Sequence, residues 1–128
     1  IKAFVSGGFD WHPQASVFAG AGTTENGALF SYHANWSAPG RWGVDFLTDK
    51  HRLIFRPLEK LRIQKLKSIS EELVKIDDTL DKKFKPGLYL QTLGFLKGGS
   101  ESNFIDIHEH CNNITEHLIK FTSPEKHN

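Results

Sequence analysis

The sequence has no methionine, a single cysteine (Cys111) and almost no net charge. One cysteine excludes a disulfide within the chain and gives no sign of the oxidising, extracellular setting in which disulfide scaffolds occur. The formal net charge of +1 comes from 16 basic and 15 acidic residues, which gives no electrostatic basis for a nucleic-acid partner. No apolar run approaches the roughly 20 residues of a membrane helix, so we expect no membrane partner and a cytoplasmic location.

What the sequence does contain is typical of a folded domain. Its 128 residues are 38% hydrophobic and 24% charged, which is enough to bury a core. The chain begins with the strand-like run IKAFV and has no initiator methionine, which indicates a fragment or a processed protein. We expect a single domain over residues 1–128.

The first two thirds of the chain have the features of β-structure. The predicted strands are residues 1–5, 17–24, 28–36, 41–48, 52–64 and 73–76. Asn26-Gly27 between apolar runs is the strongest short signal for a hairpin, and residues 49–51 predict a second one. Pro57 interrupts the longest strand and predicts a bulge or an edge there.

The last third changes to a helical period. Pro86 and the glycines after Lys97 delimit a helix that is apolar nearly all round, which predicts that it is buried. Asp106 and Glu109 resemble a capping box, and apolar residues then recur at helical spacing as far as Phe121. The predicted fold class is α+β: an open, mostly antiparallel sheet with helices packed on one face.

Metal and cofactor sites are not predicted within the chain. His110 and His117 lie two helical turns apart, roughly 10 Å, which is too far to share one ion. Gly20-Ala21-Gly22 lacks the third glycine of a dinucleotide loop, and no helix follows it. No nucleophile elbow, phosphate loop or zinc-protease motif occurs, so we expect no complete catalytic set.

Two stretches could form a binding surface. Asp10 and His12 follow a double glycine, and an exposed Asp/His pair on a loop can transfer protons, although a surface turn with incidental polar residues has the same composition. The corner between Trp36 and Trp42 carries Arg41 beside aromatic rings. That combination suits stacking on a sugar and equally suits a subunit interface, so the residues alone leave both open.

Three blocks resemble a known family: SYHANWSAPGRWGVD, RLIFRPLEK and FKPGLYLQ. They are similar to the C-terminal domain of Gfo/Idh/MocA-type oxidoreductases, the family of glucose–fructose oxidoreductase and inositol dehydrogenase. The resemblance runs from Ile1 to about Phe121. It implies a parent enzyme in which an N-terminal Rossmann domain holds NAD or NADP and a C-terminal α+β domain covers the substrate. It also implies that the open face of the sheet forms the subunit interface.

The same resemblance implies that the catalytic residues lie outside this chain. The family's Glu-Lys-Pro motif belongs to the Rossmann domain, and Glu59-Lys60-Leu61 does not reproduce it. Its Asp-x-x-x-His element precedes the strand that matches the start of this chain, and Asp10 and His12 have a different spacing. We therefore expect a cofactor-free fragment that is inactive alone.

The chain is expected to be the substrate and oligomerisation domain of an oxidoreductase acting on a sugar, polyol or related hydroxy compound, with its own Rossmann domain as partner. The substrate-contacting residues are predicted to be Asp10, His12 and Arg41. The residues predicted at the interface of a homo-oligomer are Tyr32, His33, Asn35, Trp36 and Trp42. The alternative is a stand-alone carbohydrate-binding module that uses Trp36, Trp42 and Tyr32.

Overall fold

The structure is a computed structural model in which residues 1–98 and 104–123 are described. The chain divides into two compact units. The first unit combines Ile1–Pro39 with the described part of Phe104–Asn128, and the second lies within Gly40–Asn103. Both contain antiparallel strands and helices, so the α+β class is confirmed. The strands form two sheets, one in each unit, where the sequence predicted one.

The described elements are, in chain order, β1 (Lys2–Ser6), β2 (Val17–Thr23), β3 (Leu29–Asn35), β4 (Val44–Leu47), β5 (His51–Phe55), β6 (Leu61–Lys65), β7 (Glu71–Leu73), α1 (Thr79–Lys83), α2 (Leu88–Lys97), α3 (Ile107–Asn113), a π-helical turn (Ile114–Leu118) and α4 (Ile119–Thr122).

The sheet of the first unit has the order β1-β2-β3, with both pairs antiparallel. The predicted turn at Asn26-Gly27 joins β2 to β3, and the hairpin is confirmed. Gly27 has a φ of 83°, a left-handed conformation that glycine adopts without steric cost. The Thr24 N–H donates to the Ala28 carbonyl at 2.9 Å and closes the loop.

Successive side chains of β3 point to opposite faces of this sheet, as the alternation of the sequence predicted. Phe30 and Tyr32 contact the ring of Phe121 on α4, with centroids 5.7 and 5.1 Å apart. We call their side of the sheet the helix face. His33 and Asn35 lie on the other side, which we call the open face. In this unit the helical segment is therefore packed on one face, as predicted.

The predicted helix over residues 107–121 forms with one irregularity. Asp106 caps it as expected, because its side chain accepts the Glu109 N–H at 2.9 Å. The π-helical turn then separates α3 from α4. Each i→i+5 bond puts an extra residue into the turn and rotates α4 about the helix axis relative to α3. Of the apolar residues at helical spacing, Phe121 reaches the sheet, while Ile107 stays 67% exposed.

The sheet of the second unit has the order β4-β5-β6-β7 and is antiparallel throughout. The prediction of one strand over residues 52–64 is wrong, because β5 and β6 are separate, adjacent strands. Pro57 has no N–H to continue the ladder. The Lys60 N–H donates to the Pro57 carbonyl at 3.0 Å, so the chain turns back there instead of bulging.

Few side chains are removed from water. Within residues 1–98 and 104–123 the buried residues are Ala3, Ala15, Ile54 and Ser16. The predicted burial of α2 is wrong: Leu90, Phe95 and Leu96 are 61–76% exposed. The physical reason is that α2 packs only on α1 among the described elements, so nothing covers most of its circumference.

Candidate functional site

The first candidate site is a group of rings at the end of the first sheet where β3 finishes. Its members come from the loop between β1 and β2, from β2 and from the residue after β3. We define this aromatic cluster as Phe9, Trp11, His12, Phe18 and Trp36.

The loop that carries the cluster is a tight reversal. Phe9 and His12 exchange two backbone hydrogen bonds of 2.9 Å, which leaves Asp10 and Trp11 at the tip. The Ser16 N–H donates to the Ser6 carbonyl at 2.9 Å and fastens the end of the loop to the sheet. The loop is therefore held at its base and at its tip.

The His12 ring has a defined orientation. Its Nδ1 lies 2.9 Å from the carbonyl oxygen of Ala15, which is itself 3% exposed. A carbonyl only accepts, so the neutral ring carries its proton on Nδ1 and has a lone pair on Nε2. A partly buried imidazole held in this way presents Nε2 as a hydrogen-bond acceptor, or as a donor when protonated.

The rings cover one another. Trp11 is parallel to Phe9 within 5°, with centroids 5.4 Å apart, and it stacks on Trp36 at 5.9 Å. Trp36 also lies 6.1 Å from His12. Such pairs contribute about 0.5–1.5 kcal/mol each beyond area burial. Trp11 nevertheless stays 70% exposed and Trp36 56% exposed, so the cluster presents an apolar surface beside the polar Nε2 of His12.

The second candidate site is the open face. Its side chains alternate along each strand with those of the helix face and lie opposite one another on neighbouring strands. They are Lys2, Phe4 and Ser6 on β1, Val17, Ala19, Ala21 and Thr23 on β2, and Leu29, Ser31, His33 and Asn35 on β3. Lys2 is its only formally charged side chain, and the central strand contributes alanines. Phe4 is 59% exposed and Leu29 84% exposed, and no described element of this unit packs over them.

The predicted substrate residues fall in different units. Asp10 and His12 lie in the first unit on the same loop, and the His12 ring lies 6.1 Å from Trp36. Arg41 and Trp42 lie in the second unit, in the irregular segment before β4, and both are exposed. The structure therefore groups two of the three predicted substrate contacts.

The predicted interface residues of β3 occupy both sides of the sheet. Tyr32 lies on the helix face, where its hydroxyl donates to the Phe121 carbonyl at 2.7 Å, and partial burial raises the pKa of this phenol above its ordinary value. His33 and Asn35 lie exposed on the open face. The Asn35 side-chain oxygen accepts the Ser37 N–H at 2.9 Å, which fixes the turn after the strand.

Sequence reasoning missed Phe9, Trp11 and Phe18 as members of the cluster. A signal was present, because Phe9, Trp11 and His12 are three rings within four positions of a glycine-bounded loop. An apolar ring at the tip of a loop is exposed unless it finds other rings. Phe18 could not have been assigned without knowing the register of β2 against β3.

The two glycines of β2 serve packing and do not fit a phosphate. A Cβ at Gly22 would lie 2.7 Å from the Phe30 ring, and one at Gly20 would meet Tyr32 and the Lys2 carbonyl oxygen. The space above both glycines is thus filled by neighbouring groups, so Gly20 and Gly22 do not form a phosphate cradle. No cluster of His, Cys, Asp or Glu in the described ranges is arranged to hold a metal ion.

No protein-family model matches the chain, and comparison with curated proteins and with solved structures finds no significant match. The resemblance to the oxidoreductase family therefore stays a prediction. Of the helices in the described part of the chain, none has the length and apolar character needed to cross a membrane.

Proposed function

We propose that this chain is the substrate-covering and oligomerisation domain of a cytoplasmic NAD(P)-dependent oxidoreductase that acts on a sugar, polyol or related hydroxy compound. The observation that carries the proposal is the open face, a sheet surface of small and uncharged side chains. The identity of the reaction rests on the family resemblance, and the open face supports the oligomerisation role.

The composition of the open face suits contact with another sheet. Ala19 and Ala21 on the central strand leave room for close approach, and face-to-face sheets pack about 10 Å apart. A face in permanent contact with water carries Lys, Glu and Asp, which are depleted in interface cores. Ser31, His33 and Asn35 instead offer uncharged hydrogen-bonding groups between apolar neighbours. A homodimer or higher oligomer buries this face.

The substrate role belongs to the loop at the end of the sheet. The Nε2 of His12 accepts a hydrogen bond from a substrate hydroxyl, and the rings of Trp11 and Trp36 lie beside it. Asp10 is exposed at the tip of the same loop and supplies a second acceptor. Arg41 lies in the second unit and stays a predicted substrate contact there.

The cofactor belongs to the Rossmann domain of the parent protein. NAD or NADP supplies the hydride chemistry when bound there, and Gly20 and Gly22 of this chain, whose Cβ positions are filled by neighbouring groups, do not offer a phosphate loop. Isothermal titration of the 128-residue chain with NAD is expected to show no binding. Micromolar affinity for NAD would contradict the domain assignment.

A stand-alone carbohydrate-binding module is the second candidate, favoured by the exposure of Trp11 and Trp36. Against it, Trp11 stacks on two other rings, so its faces are partly occupied. Of the aromatic residues predicted for this role, Tyr32 is engaged by Phe121. Glycan binding by the isolated chain that is lost on Trp36→Ala would favour this function over the first.

The deciding experiment is analytical ultracentrifugation of the chain and of His33→Glu. The unmodified chain is expected to associate at tens of micromolar. Glu at position 33 places an unpaired charge in the contact and is expected to weaken association by about 3 kcal/mol. His108→Glu makes the same charge change in the first turn of α3 and is expected to leave association unchanged. A monomer at tens of micromolar for the unmodified chain would refute the oligomerisation role.

A further inference from the structure

A shallow depression lined by basic, polar and apolar residues lies in the second unit, where the turn between β4 and β5 meets the end of β6. Its volume is about 210 Å³. Five of its nine lining residues carry basic side chains and none is acidic. We define this basic depression by those five residues: Lys50, His51, Arg52, Lys65 and Lys67.

Only part of this positive charge is neutralised. Arg52 pairs with Asp45, and Lys65 pairs with Glu72 at 3.2 Å. Both bonds from Arg52 go from Nε and Nη2 to a single carboxylate oxygen, so the guanidinium keeps further N–H groups for another acceptor.

Among the residues that the structure describes, neither Lys50 nor Lys67 takes part in an ion pair. Asp49 lies in the same turn but does not line the depression. Two of the lysines that line the depression are thus in no ion pair within the described residues, and the Arg52 guanidinium is only partly committed.

The backbone of Lys67 is an independent indication. Its φ is 64°, the only positive value at a non-glycine residue in the described part of the chain. The Ser68 N–H donates to the Lys65 carbonyl at 3.0 Å, so Lys67 is the third residue of a tight turn, where glycine or asparagine is preferred. A lysine at this position costs free energy that glycine would not. Strain of this kind collects at functional sites.

We propose that the basic depression binds the phosphate group of a small, soluble phosphorylated compound. The ammonium groups of Lys50 and Lys67 approach the phosphate oxygens as point charges, and the free N–H groups of Arg52 donate directional hydrogen bonds. The strained turn places Lys67 among the residues that line the depression. The residues of this site are separate in sequence from those of the open face and of the aromatic cluster. The proposal of phosphate binding is therefore independent of the oxidoreductase assignment.

The test is an NMR titration of the 128-residue chain with inorganic phosphate and with glycerol 3-phosphate, at constant ionic strength maintained with sodium chloride. We expect saturable amide shifts confined to residues 47–52 and 64–68, with a millimolar Kd. Lys67→Gln is expected to weaken binding at least fivefold. Lys75→Gln removes an exposed lysine of the same unit outside the depression and is expected to leave the Kd unchanged.

A second variant distinguishes a loss of the ammonium group from a loss of folding. Lys67→Gly removes the ammonium group and relieves the backbone, so this variant stays folded, and we expect it to lose affinity as Lys67→Gln does. Unchanged binding in both Lys67 variants would overturn the proposal, as would shifts that chloride alone reproduces. Cosedimentation with phosphatidylserine vesicles in the absence of any saturable phosphate binding would also overturn it, in favour of a membrane surface.

Discussion

The hydroxyl of Tyr32 donates a 2.7 Å hydrogen bond to the backbone carbonyl of Phe121, 89 positions further along the chain, and their rings meet edge to face at 5.1 Å. The carbonyl belongs to the last turn of α4, where helical carbonyls have no intrahelical N–H partner. A side chain of the sheet thus caps the end of the helix that covers it.

Removing this hydrogen bond is expected to destabilise the first unit moderately. Tyr32→Phe keeps the ring contact with Phe121 and leaves one carbonyl without its donor, which lowers the free energy of unfolding by about 1 kcal/mol. Urea denaturation followed by circular dichroism measures the change. Tyr89→Phe is the matched control, because Tyr89 stacks on Phe84 at 4.8 Å and its hydroxyl makes no hydrogen bond within the described residues. Equal losses for both variants would contradict the capping role.

The same phenol is expected to make stability depend on pH in the alkaline range. Burial raises the pKa of Tyr32 above 10.0 in the folded chain, so the unfolded chain loses the proton first. The stabilisation is complete below pH 10 and falls as the pH rises from there through the folded pKa. Denaturation midpoints at several pH values measure it. Tyr32→Phe should remove this component, and an unaltered alkaline slope in the variant would assign the loss to other groups.

Gly20 is expected to tolerate no side chain. A Cβ there would lie 2.5 Å from the Lys2 carbonyl oxygen and would also meet the Tyr32 side chain, so Gly20→Ala forces backbone or ring to move. Overpacking of this kind costs roughly 1–3 kcal/mol, measurable as a lower melting temperature. Gly40→Ala is the control, since no atom lies within 4 Å of the position that its methyl group would take, and the change should be neutral or slightly stabilising.

The start of α3 depends on one carboxylate. Asp106→Ala removes the acceptor of the Glu109 N–H and is expected to reduce stability by about 1 kcal/mol, with a loss of helical circular dichroism. Asp106→Asn keeps a side-chain oxygen at the cap and should stay within a few tenths of a kcal/mol of the original chain. A similar loss in both variants would point to the charge of Asp106 and not to its hydrogen bond.

Lys67→Gly is expected to raise stability, in the direction opposite to most substitutions. Glycine takes the observed φ of 64° without the steric cost that a lysine incurs, a gain of about 1 kcal/mol. Lys60→Gly, in the loop before β6 where φ is not positive, should instead destabilise because it frees the unfolded backbone. Chemical denaturation of the two variants distinguishes these outcomes. A loss of stability in Lys67→Gly would show that the lysine side chain contributes more than the strain costs.

Local sequence signals predicted the features that depend on neighbouring residues. Asn26-Gly27 fixes a turn by its own conformational preference, and Asp106 caps a helix that begins one residue later. The alternation along β3 placed Tyr32 and His33 on opposite faces. Each of these depends on a few adjacent positions, so the surrounding fold could not reverse them.

The predictions that were wrong concern features that depend on distant residues or on turn geometry. The apolar composition of α2 predicted burial, yet burial requires a covering surface, and α1 covers only part of the helix. Pro57 predicted an interruption correctly, but not whether the chain would continue or reverse. The π-helical turn at Ile114–Leu118 left no mark in the spacing of apolar residues, so Phe121 was expected in line with Ile107.

The aromatic cluster illustrates the same limit for a functional site. Asp10 and His12 could be proposed from their loop, because glycine and proline mark the loop locally. The position of His12 beside Trp36 depends on the register of β2 against β3, which sets Val17 opposite Asn35 and brings the end of β3 to the start of β2. Register across strands is not encoded in any one segment.

The first unit is assembled from two separated stretches of chain, with the whole of the second unit inserted between Pro39 and Phe104. During synthesis on the ribosome the second unit is complete as soon as its own residues have emerged. The three-stranded sheet must wait with its helix face uncovered until Phe121 has been translated. During that interval Phe30 and Tyr32 are uncovered and can contact other apolar surfaces. Because of this order of synthesis, the nascent first unit is more exposed than the second to mispairing of its strands and to binding by chaperones.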